Sequence, residues 1–279
     1  MSNVTIVTDS AGDIPVDIAA DLGIVVVPLS IRFGEEEYTD CVDLTPAEFW
    51  AKCASSDKLP ETAAPSPGAF AEAFEAARSA GAPGVVCLTI SGELSGTYQS
   101  ALTAAESIDG FEVVVIDTRA VTMAEGLLTI VAAEAAASGA SVADIVALVG
   151  ENLDRVGVVG SLDTLEHLKK GGRVGGAQAL LGSMLSIKPL LELKDGRVAE
   201  AGRQRTRAKA ISHLAKVVTE AGPYARIAVA HGSAPDVDTL LAKLADVECD
   251  TPMIVTEIGS VVGTHGGPGI IGICWLRRP

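Results

Sequence analysis

The stretch Val85-Val86-Cys87-Leu88-Thr89-Ile90-Ser91-Gly92-Glu93-Leu94-Ser95-Gly96-Thr97-Tyr98-Gln99-Ser100-Ala101 decides how the rest of the chain is read. Val85 to Ile90 is apolar enough for a strand buried on both faces. It breaks into a short loop of Ser and Gly, and a helix is expected from near Ser95 through Tyr98, Ala101 and Ala104. A strand, a small polar loop and a helix start leave backbone N–H groups and hydroxyls facing one spot beyond the strand end. Such a spot favours an anion, a carboxylate or a phosphate. Turns and helix caps use the same residues, so Ser91 and Ser95 suit either role on local pattern alone.

Outward from this unit, strands and helices alternate. Val4 to Val7 reads as a strand ending at Thr8-Asp9-Ser10, followed by a helix over 15–22. Ile24 to Arg32 reads as one buried strand, Gly34 to Asp40 as an acidic turn or hairpin, and Lys58 to Pro67 as a loop. Thr45 before Pro46 and Ser141 three residues before Asp144 carry helix-start signals. Helices are expected over 68–80 and 122–138, with a strand over 113–116 between them. Alternation of this kind predicts an α/β fold, here a three-layer α/β/α N-terminal unit with a mostly parallel sheet.

A new strand at Val156 to Val159 marks the expected division into units 1–154 and 155–279. In the second unit, helices over 162–169 and 177–185 flank the Gly-rich run Gly171 to Gly176. Lys194-Asp195-Gly196 lies between two short strands and predicts a hairpin, hence a mixed sheet. A helix over 207–221 and strands over 227–230, 253–257 and 270–276 complete the chain, with a helix over 236–245.

Composition narrows the function. Of 279 residues, 48% are hydrophobic and only 4% aromatic, so the cores are aliphatic. A net charge of −15 argues against a nucleic-acid partner or an anionic membrane surface, both of which need a basic face. No apolar run reaches the ~18 residues of a membrane span, and a cytoplasmic protein without an integral membrane segment is expected. The five cysteines have no metal-ligand spacing; Cys87 and Cys274, inside apolar strands, are expected to be reduced core residues. No metal or resident cofactor is expected.

Polar residues gather in four loops: Thr8 to Ser10, Thr62 to Pro67, Ser91 to Ser95, and Gly263 to Gly267, which holds His265. In an open α/β sheet ligands collect beyond the carboxyl ends of strands, so the loops after Val7 and Ile90 are expected to share a crevice. Thr62 is either a ligand hydroxyl or a turn residue bonding its own backbone. A serine hydrolase using Ser95 and His265 is the competing reading, although Gly92 to Gly96 has the wrong spacing for a nucleophile elbow. Gly171 to Gly176 offers a third, a phosphate-binding loop, but lacks the Lys-Ser/Thr ending of a P-loop. It gathers Lys169, Lys170 and Arg173, and a second basic group is Arg203, Arg205 and Arg207, most of which read as solvated charge.

Taken together these segments resemble the DegV family of bacterial fatty-acid-binding proteins. The resemblance rests on Val7-Thr8-Asp9-Ser10, Val27-Pro28-Leu29, Thr62 with Pro65, and Leu94-Ser95-Gly96-Thr97-Tyr98. It continues through Leu168-Lys169-Lys170-Gly171-Gly172-Arg173, Ile187-Lys188-Pro189, Arg205-Thr206, and His265 with Gly269. The resemblance implies one long-chain fatty acid buried between two α/β domains, its carboxylate held by Thr62 and Ser95 with His265 beside it. Ser91, in the same loop as Ser95, is counted with the ligand-binding residues. The resemblance further implies a non-catalytic subunit that presents the carboxylate to a separate ATP-dependent fatty acid kinase subunit for acyl-phosphate formation. Arg173 and Arg205 would face that partner or the phosphoryl group. Ala63-Ala64 and Gly92 depart from the family, which often has Ser-Gln and a second Ser there.

Overall fold

A computed structural model describes residues 3–56, 58–183 and 187–279. The chain opens with β1 (Thr5–Asp9), a 3-10 turn, α1 (Val16–Asp21), β2 (Val25–Val27), β3 (Ser30–Phe33) and β4 (Glu36–Thr39). Then come α2 (Pro46–Ser55), β5 (Glu61–Ala63), α3 (Pro67–Ser79), β6 (Val85–Thr89), α4 (Thr97–Glu106) and β7 (Val113–Asp117). Two helices, α5 (Met123–Ala137) and α6 (Val142–Asn152), lead to β8 (Val156–Ser161) and α7 (Glu166–Lys170). The remainder is a 3-10 segment Gly175–Ser183, β9 (Lys188–Lys194), β10 (Arg197–Gln204), α8 (Arg207–Ala221), β11 (Tyr224–His231), α9 (Val237–Leu244), β12 (Ile254–Glu257), α10 (Ser260–Gly266) and β13 (Ile271–Arg277).

The fold is α/β with a parallel first sheet and a mixed second one. The order β2-β1-β6-β7 is parallel throughout. Helices α3 and α4 cover one face through Phe70, Phe74, Ala101 and Ala104, packed on Val7, Val85 and Cys87. On the other face α5 and α6 bury Leu127, Leu128, Ile145 and Val149 with Ile6, Val86 and Leu88. The second sheet, β10-β9-β8-β13-β11-β12, is antiparallel except for β11 and β12. Its outer face is closed by α8 and α9.

Its inner face meets α5. Eleven of the fifteen α5 residues are buried, because the helix touches β1 and β6 on one side and β8, β11 and β13 on the other. A helix apolar around its whole circumference has to be covered on every side.

Local signals held where they were strong. Thr45 with Glu48 and Ser141 with Asp144 form capping boxes. Asp195 and Gly196 take φ of 50° and 77° in the β9–β10 turn, the left-handed pair a two-residue hairpin needs. Cys87 and Cys274 are buried and free.

Other expectations are corrected. Ile24 to Arg32 is not one strand: the chain turns at Pro28, so β2 edges the parallel sheet while β3 joins a small third sheet, β4-β3-β5. Val25 and Val26 are each 37% exposed, as an edge allows. The loop expected over 58–67 contains β5, which pairs Thr62 with Ile31. The Gly263 to Gly267 loop is largely α10, seated by Gly263 against Phe49 and Trp50. The helix expected over 162–169 is only Glu166–Lys170, and the one over 177–185 is 3-10 as far as Ser183, its last residues lying outside the described ones.

Candidate functional site

The order β2-β1-β6-β7 places a switch point between β1 and β6: the chain leaves β1 toward β2 and β6 toward β7. Crevices open at such points. The two strand-end loops meet there, since the Asp9 carboxylate accepts the N–H of Ile90 at 2.8 Å and of Ala11 at 2.9 Å.

Beyond these strand ends a cavity of about 950 Å³, counted with its opening, lies against the inner face of the mixed sheet. Its floor follows the two-residue period of the strands, with Val158 and Gly160 from β8, Leu191 and Leu193 from β9, and Gly272 from β13. Gly160 and Gly272 are direct cross-strand partners, so the floor sinks where both lack side chains. Ile90, Leu94, Val121, Val261 and Val262 form the opposite wall. The lining, mostly aliphatic with a few polar groups, fits a long apolar ligand.

Four of the residues singled out in the sequence line this cavity: Thr62, Ser95, Arg173 and His265. Thr62 comes from β5 and His265 from the last turn of α10; His265 Nε2 and Thr62 Oγ1 are hydrogen-bonded at 2.9 Å. Burial, then the charge of Arg173, then His167 push the His265 pKa down to about 4, so its imidazole is neutral at pH 7. Gly171 permits this placement. A Cβ there would stand 2.2 Å from His265 Nδ1. Ser95 Oγ bonds Thr97 Oγ1 at 2.8 Å and accepts the Thr97 N–H at 3.4 Å, so it supports the start of α4 while lining the cavity. Arg173 crosses from the second sheet's side, donating Nε to the Leu94 carbonyl at 3.0 Å and Nη1 to the Gly171 carbonyl at 2.6 Å.

Two candidates lie elsewhere. Ser91 is fully buried outside the cavity lining; its hydroxyl donates to the Gly196 carbonyl at 2.8 Å and accepts the Glu93 N–H at 3.3 Å. It fastens the loop to the β9–β10 turn instead of facing a ligand. Arg205 is exposed just after β10 and does not line the cavity. Arg207 is also not simply solvated: Nε and Nη2 grip Asp236 at 2.8 and 2.9 Å.

The alternatives fare poorly on geometry. A serine nucleophile needs its base within hydrogen-bond reach. Here His265 Nε2 is engaged by Thr62, and Ser95 Oγ by Thr97. The Gly171 to Gly176 run packs on its own fold instead of forming a phosphate cradle: Gly171 abuts His265, and a Cβ on Gly175 would meet the Val198 carbonyl at 2.5 Å.

The structure adds residues that pattern reading missed. Thr122 lines the cavity with φ 51° and ψ −148°, a costly conformation for a β-branched residue. Its hydroxyl donates to Asp13 at 2.6 Å. Asp13 belongs to a buried acidic group with Asp9, Asp40 and Glu125. Burial raises Asp9 and Asp13 to about 7 and drives Glu125 well above its ordinary value. Thr8 donates to Glu125 at 3.1 Å, the Gly259 N–H to Asp13 at 2.8 Å, and Ser260 to Asp40. Among the described residues no group of three or more His, Cys, Asp or Glu side chains is arranged to hold a metal ion. An acid within an apolar helix, as Glu125 is, was the available signal. No helix among the described residues is long and apolar enough to cross a membrane.

Residues 3–278 match the family model described as "Uncharacterised protein, DegV family". A DegV domain-containing protein of Halalkalibacterium halodurans is 34% identical, with 99% of each chain aligned. One from Deinococcus radiodurans is 38% identical over 97% of each. Among solved structures, "Fatty Acid Binding of a DegV family Protein from Thermus thermophilus" aligns with TM-score 0.91 and 36% identity over 99% of this chain and 100% of that one. "Crystal Structure of DegV, a fatty acid binding protein from Bacillus subtilis" aligns with TM-score 0.86 and 31% identity over the whole of both. With this fold, this cavity and relatives spanning its full length, the chain belongs to the DegV family.

Proposed function

We propose that this protein binds one long-chain fatty acid in the cavity and presents its carboxylate to a separate ATP-dependent kinase subunit that forms the acyl-phosphate. The observation that carries the reading is an apolar cavity that also gathers two hydroxyls, an imidazole and one guanidinium, Thr62, Ser95, His265 and Arg173. The fatty-acid-binding relatives support it. A buried carboxylate needs hydrogen-bond partners, and the Thr62 and Ser95 hydroxyls supply them. A neutral His265 carrying its proton on Nε2 donates to Thr62 Oγ1, which frees the Thr62 proton for the ligand. Hydroxyl donors leave a carboxylate oxygen available as the nucleophile toward a phosphoryl group, where a bidentate arginine would occupy both oxygens.

Arg173, in the cavity wall, and Arg205, on the surface, are assigned to the phosphoryl group and the partner. Ser91 holds the loop that carries Ser95. The ligand lies between units 1–154 and 155–279, and the protein acts in the cytoplasm without catalysis of its own.

Mass spectrometry of lipid extracted from the purified protein is expected to find about one fatty acid per chain. A protein that carries none and takes up none when it is supplied would overturn the reading. Kinase presentation is tested separately, by acyl-phosphate formation when the loaded protein meets a fatty acid kinase subunit and ATP.

A further inference from the structure

A second pocket, about 670 Å³ with its opening, begins where the first cavity ends. The first follows β8 from Leu162, just past the strand, through Gly160 to Val158; the second continues along the same strand through Gly157 to Val156. On β9 the first is lined by Leu191, Glu192 and Leu193, the second by Leu193 and Lys194. Val158 and Leu193 therefore line both. They also face each other across the strands, because Gly160 pairs with Leu191 and Val159 with Glu192. Val158 and Leu193 are the two residues common to both linings, and the 120–124 segment borders both volumes from the opposite side. Leu162 and Leu168 belong to the end near Arg173, whose N–H bonds the Leu168 carbonyl at 3.0 Å, so the partition stands at the other end of the floor from Arg173. Leu162 to Val156 spans six residues of extended chain, roughly 20 Å.

The two volumes differ in chemistry. Apart from Glu192, the floor up to the partition is aliphatic or glycine. Past it, the lining includes Thr118, Arg119, Asp154, Lys194 and Asp195, with Arg119 paired to Asp154 at 3.3 Å on the exposed rim. An ordinary methyl terminus finds its best surroundings before the partition. A polar terminus does not, since a hydroxyl or carboxyl left among Val158, Leu193 and Gly160 would be buried without partners.

We infer that the second pocket continues the ligand channel and receives the far end of an acyl chain that carries a terminal hydroxyl or carboxyl, which passes between Val158 and Leu193 to reach the polar rim. The inference rests on the reading that the first cavity holds the carboxylate end of a fatty acid.

The test is calorimetric affinity for hexadecanoic acid, its ω-hydroxy analogue, the corresponding dicarboxylic acid and dodecanoic acid. The proteins are the full-length chain and its Leu193→Phe and Arg119→Ala variants. The unaltered protein is expected to bind the ω-hydroxy acid within about threefold of hexadecanoic acid. Leu193→Phe, which thickens the partition, should weaken the two ω-substituted acids at least tenfold while dodecanoic acid still binds, showing the head end intact and the variant folded. Arg119→Ala should weaken the dicarboxylic acid alone, by about three- to tenfold. Binding of the ω-hydroxy acid a hundredfold weaker than hexadecanoic acid would overturn the inference. So would a Leu193→Phe variant that treats the three long acids alike. Failure to bind hexadecanoic or dodecanoic acid at all would instead remove the fatty-acid reading beneath it.

Discussion

Two polar regions are buried at the carboxyl ends of the parallel strands, and their chemistry is opposite. In one, Thr62, Ser95 and His265 present hydroxyls and a neutral imidazole to an open volume. In the other, Asp9, Asp13, Asp40 and Glu125 are sealed in the fold and accept hydrogen bonds from Ile90, Thr122, Gly259, Ser260 and Thr8. The regions share elements. Thr122 lines the cavity and bonds Asp13, and α10 is held at its start by Asp13 and Asp40 while it carries His265 near its end. A polar residue at a strand end is thus not a site by position alone. The acids tie loops and a helix start together; the hydroxyls and imidazole line the volume those ties define.

The contrast can be broken in four ways. The largest effect is expected from Gly160→Leu, which fills the cavity floor; the first atom of the new side chain meets nothing closer than the Ile271 carbonyl at 3.4 Å. Fatty acid binding should fall about a hundredfold, near 2.7 kcal/mol, with the melting transition retained. A variant that binds normally would show that the ligand lies elsewhere. Thr62→Val and Ser95→Ala come next. Each removes a hydrogen bond to a charged group, which is worth about 1.5–3 kcal/mol, so titration should show binding roughly ten- to a hundredfold weaker.

Asp13→Ala should act on the fold more than on the ligand. It strands the Gly259 N–H and the Thr122 hydroxyl at a cost of about 1–3 kcal/mol. The melting temperature should drop while affinity stays within about threefold. Loss of binding larger than that of Thr62→Val would move the site into the acidic group.

The smallest effect is in pH dependence. Asp9 and Asp13 are raised to about 7, so the folded state holds protons that the unfolded chain releases above its ordinary carboxylate value. That contribution is present at low pH and is lost as pH rises through 7. His265, lowered to about 4, works the other way and costs stability as pH falls from 6.5 toward 4. Melting temperature should therefore rise between pH 8 and pH 6, and Asp13→Asn should flatten the slope. A melting temperature that falls over that interval would show these acids to be ionised in the fold.

Much of this was legible in the sequence where local chemistry and tertiary packing agree. The strand from Val85, the capped helices and the Asp195-Gly196 turn each carry their instruction within a few residues. The break at Pro28 was not readable, because a run of Val and Ile looks the same whether it feeds one sheet or two. Nor was β5, three residues long, or α10, whose glycines read as loop until Gly263 is seen against Phe49 and Trp50. Of the site, Thr62, Ser95, Arg173 and His265 were named and are brought to one cavity. Ser91 was misplaced because a strand-end hydroxyl can turn either way, and its acceptor, the Gly196 carbonyl, lies 105 residues along the chain. The acidic group escaped notice because charge burial depends on neighbours far apart in sequence, as Asp13 and Gly259 are.

Helix α5 serves as a party wall, with a sheet leaning on each side of it. Parting the sheets like a clamshell would bare one long face of a helix with eleven buried residues. The same wall makes the halves dependants: cut at 154/155, the C-terminal piece would lose the cover of its inner face, and the two would stand or melt together.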